Sequence, residues 1–153
     1  MLYLMKTYPE TIVDGEGIRY SIYLAGCRHH CPGCHNPKSW NPNYGVPLTE
    51  KLTEKIISEI NNNPLLDGIT LSGGDPFYHP CELLSLAKRL KQETKLNIWC
   101  YTGYTYDEIC SNDEFSAVLP YLDVLVDGRF IEELYDPEIR FRGSKNQRII
   151  KLR

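Results

Sequence analysis

Apolar positions along this chain fall into short runs whose spacing switches between two and about 3.6 residues, the periods of strands and helices. Ile18-Arg19-Tyr20-Ser21-Ile22-Tyr23-Leu24 alternates and is rich in β-branched and aromatic residues, which predicts a strand. Segment 49–63 predicts a helix: Leu52, Ile56, Ile57 and Ile60 share one face, charged residues lie opposite, and Thr49 is placed to cap it. Pro64 and Asp67-Gly68 end that helix. Ile69-Thr70-Leu71-Ser72 predicts a second strand running into Gly73-Gly74-Asp75-Pro76. A second helix starts at Pro80, with Leu83, Leu86, Ala87 and Leu90 at helical spacing. Residues 96–101 predict a third strand, followed by Thr102-Gly103 and a weaker helix over Tyr106–Cys110. Residues 122–126 predict a fourth strand ending at Asp127-Gly128, and residues 147–152 a last one.

Strands alternating with helices imply right-handed βαβ units. The expected fold is α/β: a partial, open β/α barrel with a mainly parallel sheet, in a single domain over residues 1–153. Too few strands are present for a closed eight-stranded barrel. In such sheets chemistry gathers at the carboxyl ends of the strands, where four motifs converge here. They are the cysteine-bearing loop after the first strand, then Gly73-Gly74, Thr102-Gly103 and Asp127-Gly128. That cysteine loop, residues 25–48, carries Pro32, Pro37, Pro42 and Pro47, which block regular structure. An irregular segment of this length in a compact unit is usually functional or disordered, and three metal-capable side chains favour function.

Composition narrows the classes. A formal charge of −3 without a Lys/Arg run gives no field for nucleic acid. No apolar run is long enough to span a membrane, and residues 1–12 lack the pattern of a signal peptide. Cys81, Cys100 and Cys110 are scattered, unlike a disulfide framework, so reduced thiols in a cytoplasm are expected, with these three as buried or half-buried small apolar residues.

Cys27, Cys31 and Cys34 form C-x3-C-x2-C with no fourth cysteine nearby. On a [4Fe–4S] cube three thiolates leave one iron open, which suggests catalysis; an electron-transfer cluster would fill that place with a fourth cysteine. The competing reading is a structural zinc completed by His29, His30 or His35, although the paired ligand couples usual in zinc fingers are absent. Gly73-Gly74-Asp75-Pro76 reads either as a tight turn or as a place where backbone meets a ligand closely. Asp14-Gly15-Glu16-Gly17-Ile18-Arg19 reads as a glycine-rich turn entering the first strand, and residues 142–147 as a polar loop or a surface for carboxylates.

Taken together, residues 14–19, 26–36, 72–76, 99–103, 126–128, 142–144 and 146–147 resemble, in order, the radical S-adenosylmethionine superfamily. Within it the chain is most similar to the glycyl-radical activating enzymes that serve the anaerobic (class III) ribonucleoside-triphosphate reductase. Gly33, where the wider superfamily often has an aromatic residue, fits that subgroup. The resemblance implies a [4Fe–4S] cluster on Cys27, Cys31 and Cys34, with S-adenosylmethionine on the open iron. It places Gly33, Cys34 and His35 beside the adenosyl part and Gly73 and Gly74 at the methionine amino group, with Asp75 a further member of that shell. It also implies reductive cleavage to a 5′-deoxyadenosyl radical, which takes hydrogen from a glycine on the large reductase subunit. No side chain need act as acid or base, and a flavodoxin-like protein would donate the electron. Arg129, Arg142 and the segment through Gln147 are candidates to receive the partner's loop or the cofactor, or are ordinary surface residues. Activation of a formate-lyase-type enzyme, a deazapurine-synthase type of reaction and a non-catalytic zinc-stabilised module are the alternatives.

Overall fold

The computed structural model describes residues 1–153. Seven strands form one open sheet: β1 (Tyr3–Thr11), β2 (Arg19–Leu24), β3 (Val46–Pro47), β4 (Gly68–Gly73), β5 (Asn97–Tyr101), β6 (Val124–Asp127) and β7 (Arg148–Lys151). Their order across the sheet is β3-β1-β2-β4-β5-β6-β7. The four central strands are parallel, with Tyr20 opposite Ile69, Ile69 opposite Ile98 and Cys100 opposite Leu125. Both flanks are antiparallel, β1 on β2 and β7 on β6. The expected mainly parallel sheet is thus found in the four middle strands, and antiparallel strands flank it on both sides.

Helices α1 (Glu50–Asn61) and α2 (Pro80–Thr94) form the first two crossovers, and the short α3 (Tyr106–Cys110) and α4 (Asp113–Ser116) the third. Thr49 caps α1, its hydroxyl accepting from Leu52 N at 3.2 Å, and Ile56, Ile57 and Ile60 are buried. Pro80 opens α2 at a position needing no intrahelical donor, and Lys95 ends it in the left-handed region at φ 60°. Because strand side chains alternate, the sheet has two unlike faces. Tyr20, Ile22, Ile69, Leu71, Ile98 and Leu125 share the main core with α1 and α2. Arg19, Ser21, Thr70 and Trp99 occupy the alternate positions, all buried, on the face turned away from those helices.

Strand β1 and the short β3 were not predicted. β3 pairs only with Tyr3 and Leu4, so the rest of β1 is an edge. Its register against β2 shifts twice, which breaks the period-two signal, and Pro9 interrupts it further. The loop after β2 is irregular apart from a 3₁₀ turn at Pro37–Trp40 and β3. It closes on itself: Gly26 N donates to Ser39 O at 2.7 Å and Cys27 N to Trp40 O at 3.3 Å. Cys100 is buried as expected of a small apolar residue, whereas Cys81 and Cys110 are exposed. No helix is long and apolar enough to cross a membrane.

Candidate functional site

An open cavity of about 800 Å³ lies over the carboxyl ends of β2, β4, β5 and β6. Each of the four motifs noted in the sequence contributes: Cys27, Cys31 and Cys34 after β2, Ser72-Gly73-Gly74 at β4, Tyr101-Thr102-Gly103 at β5 and Gly128 after β6. Asp14 bounds it from the turn before β2, and residues 137–143 from the segment before β7.

All three cysteines are half-buried, and burial pushes the Cys27 and Cys31 thiols up, so metal binding there must displace protons. No three His, Cys, Asp or Glu side chains stand close enough together to ligate a single metal ion. Each candidate histidine is engaged elsewhere. His29 Nε2 contacts Asp75 Oδ2 at 2.7 Å, the His30 ring stacks on Trp40 at 4.4 Å, and His35 lies 5.4 Å from Phe130 and 5.7 Å from Tyr135. Cys27, Cys31 and Cys34 all line the cavity, and three thiols are a donor set that a four-iron cube can take.

The remaining predicted residues divide. Cys34, His35, Gly73 and Gly74 line the cavity, whereas Gly33 and Asp75 are outside its lining. Gly33 has φ +78°, and a Cβ there would stand 2.9 Å from Glu132 Cδ. Asp75 is buried beneath the cavity, where it accepts hydrogen bonds from Phe77 N and Gly103 N, each at 2.9 Å, and from the Thr102 hydroxyl at 3.0 Å. The two strand-end glycines are needed for a reason the sequence did not suggest. A Cβ on Gly73 (φ +116°) would stand 2.3 Å from Leu24 O, and one on Gly74 2.6 Å from Gly26 O. It is protein backbone that demands glycine there. Gly74 N donates to Leu24 O at 2.8 Å, while its carbonyl receives no hydrogen bond and is free for a donor.

Three further residues bound the cavity without having been singled out as contacts, or having been placed only loosely. Tyr101 Oη and Arg142 Nε are buried with no protein partner, and unpaired buried polar atoms beside a cavity point to a ligand. Tyr101 shares the face of Trp99 by strand alternation and sits at the strand's carboxyl end, the one signal that could have found it. Asp14 Oδ2 accepts from the Ser21 and Tyr23 hydroxyls at 2.9 and 2.7 Å, fixing the turn at the rim. Arg129 does not join Arg142. It pairs with Glu108 at 3.3 Å and borders a second cavity of about 490 Å³ on the other side of Cys31.

A family model described as a 4Fe-4S single cluster domain matches residues 13–150. The anaerobic ribonucleoside-triphosphate reductase-activating protein of Haemophilus influenzae is 41% identical over 148 residues, covering 94% of each chain. That of Escherichia coli (strain K12) is 41% identical over 151 residues, covering 95% of this chain and 96% of its own. That of Enterobacteria phage T4 is 33% identical over 147 residues, covering 94% and 90%. Identity of this extent over nearly the whole of each chain places this one among the anaerobic ribonucleoside-triphosphate reductase-activating proteins, and the 4Fe-4S single cluster domain model matches it over residues 13–150.

Proposed function

We propose that this chain activates an anaerobic ribonucleoside-triphosphate reductase by generating a glycyl radical on it. Cys27, Cys31 and Cys34 hold the [4Fe–4S] cluster. Cys34 and His35 lie along the adenosyl part of S-adenosylmethionine, the Gly74 carbonyl accepts from its amino group, and Gly73 shapes the strand end beside it. When bound, cluster and S-adenosylmethionine together supply the reductive cleavage to a 5′-deoxyadenosyl radical that removes hydrogen from a glycine. The protein's own work is to position, to exclude water and to admit the partner.

The observation that carries this reading is the cavity itself: three thiols face four parallel-strand ends, with two unpartnered polar groups among the lining. Helices α1 and α2 cover one sheet face only, and the alternate face is polar and aromatic, as the interior of a partial barrel in a single domain would be. An open side suits a glycine-bearing loop of the large reductase subunit. A flavodoxin-like donor in a cytoplasm completes the reaction.

The test mixes anaerobically reconstituted, reduced protein with S-adenosylmethionine and the reductase. A glycyl doublet in the electron paramagnetic resonance spectrum, lost in Cys31→Ala, is the expected result. Cofactor cleavage with no radical on the reductase would sink the assignment.

A further inference from the structure

We propose that Asp75 is a positioning residue that clamps the cysteine loop to the ends of β4 and β5 through His29. This rests on the reading that Cys27, Cys31 and Cys34 hold the cluster. Asp75 is 2 % exposed and both carboxylate oxygens are occupied by protein. Oδ1 accepts from Phe77 N at 2.9 Å, Oδ2 accepts from Gly103 N at 2.9 Å, and the Thr102 hydroxyl lies 3.0 Å from both. Oδ2 also meets His29 Nε2 at 2.7 Å. One side chain thus joins the turn after β4, the loop after β5 and the stretch between Cys27 and Cys31.

His29 is gripped on its other sides as well. Its side chain is 5 % exposed although Arg28 and His30 beside it are exposed. Its ring meets Tyr104 edge-on at 4.5 Å. Gly103 makes the room: a Cβ there would stand 2.4 Å from His29 Cδ2 and 2.6 Å from Nε2. The cysteine triplet lies in a long irregular segment, which chain entropy would otherwise leave mobile. Gly26 is fixed to Ser39 on one side of Cys27, and His29 supplies the second fastening, between Cys27 and Cys31.

The clamp can be tested in the whole 153-residue chain, first metal-free and then reconstituted with iron and sulfide. A hydrogen bond to a charged group is worth enough to change local opening by about tenfold to a hundredfold. In His29→Ala, amide hydrogen exchange over residues 27–34 of the metal-free chain should accelerate by that factor. Loss of iron from the reconstituted chain to a ferrous chelator should accelerate likewise. Gly103→Ala, which displaces the ring while keeping the backbone N–H that donates to Asp75, should do the same. His29→Gln, able to donate to Oδ2, should recover part of the effect. His29→Ala combined with Asp75→Asn should be no worse than Asp75→Asn alone, since both break one contact. Should Asp75→Asn fail to fold, His29→Ala and Gly103→Ala still decide. Parental exchange and iron-loss rates in both of those variants overturn the clamp. A parent chain that takes up no iron defeats the cluster reading instead, and metal-free exchange still reports on the clamp.

Discussion

Tyr101 brings its hydroxyl to the cavity without a protein partner, and burial pushes that phenol's pKa up. A buried unpaired polar group costs about 1–3 kcal/mol. In the ligand-free chain Tyr101→Phe should therefore stabilise by about 1 kcal/mol, a rise of about 2–4 °C in thermal midpoint for a chain of this size. The same change should weaken S-adenosylmethionine binding several-fold in an equilibrium titration of the reconstituted protein, because a donor has gone. An unchanged midpoint would mean that solvent already satisfies the hydroxyl. Arg19 is the opposite case. It closes the glycine-rich turn that enters β2, and its side chain is 1 % exposed with every arm used within the fold. It donates to the Thr70 hydroxyl, Glu16 O and Ile69 O, each at 2.8 Å, and to Asn97 Oδ1 at 2.7 Å, over the Trp99 ring. Burial pushes its pKa down to about 10, which leaves it protonated at neutral pH.

At the scale of elements, the parts that were legible are those whose signals are local. α1 shows why: its cap, its apolar face and its stop all lie within some fifteen consecutive positions on the order of the rules that read them. The cap gives a direct check. Thr49→Ala removes the acceptor for Leu52 N and should cost about 1 kcal/mol in urea denaturation. α1 lies against the apolar sheet face, away from the cavity, so iron uptake should be unaltered. A loss of iron uptake would mean that α1 supports the cysteine loop after all. Strands β2, β4, β5 and β6 were legible for the same reason, since β-branched and aromatic runs ending in glycine announce themselves. β1 was not, because its pairing shifts twice along β2 and only Leu4 of its length is buried. The convergence of four motifs could be argued from topology, which needs no side-chain geometry. The contact between His29 and Asp75 spans 46 residues of chain and has no local trace, and Gly73 was readable as special without its reason, the Leu24 backbone beside it.

For the whole molecule, the question is how one cavity can serve both a small cofactor and a partner protein. Residues 137–143 line the cavity as part of a strap pinched at its base by the Tyr135–Ser144 bridge. Gln147 fastens it, Oε1 accepting from Gly143 N and Ser144 N at 2.8 and 3.0 Å while Nε2 donates to Gly128 O at 3.0 Å. The strap thereby hangs from the end of β6. Of its two cavity-lining arginines, Arg140 and Arg142, the second has one arm donating to Gln147 O at 3.0 Å, but its Nε is buried and unpaired beside the cavity. An unpaired guanidinium nitrogen there calls for an acceptor, either the cofactor's carboxylate or a backbone carbonyl of the incoming loop. Arg142→Ala distinguishes them. Loss of a hydrogen bond to a charged group should lower glycyl-radical yield by about tenfold or more. If S-adenosylmethionine cleavage without the reductase falls in parallel, the guanidinium serves the cofactor. If cleavage persists while radical transfer fails, it serves the loop, and the strap is then the surface that the reductase reads. Both quantities unchanged, in a variant that melts like the parent, would reduce Arg142 to a brace for Gln147 and leave partner selection to residues outside the strap.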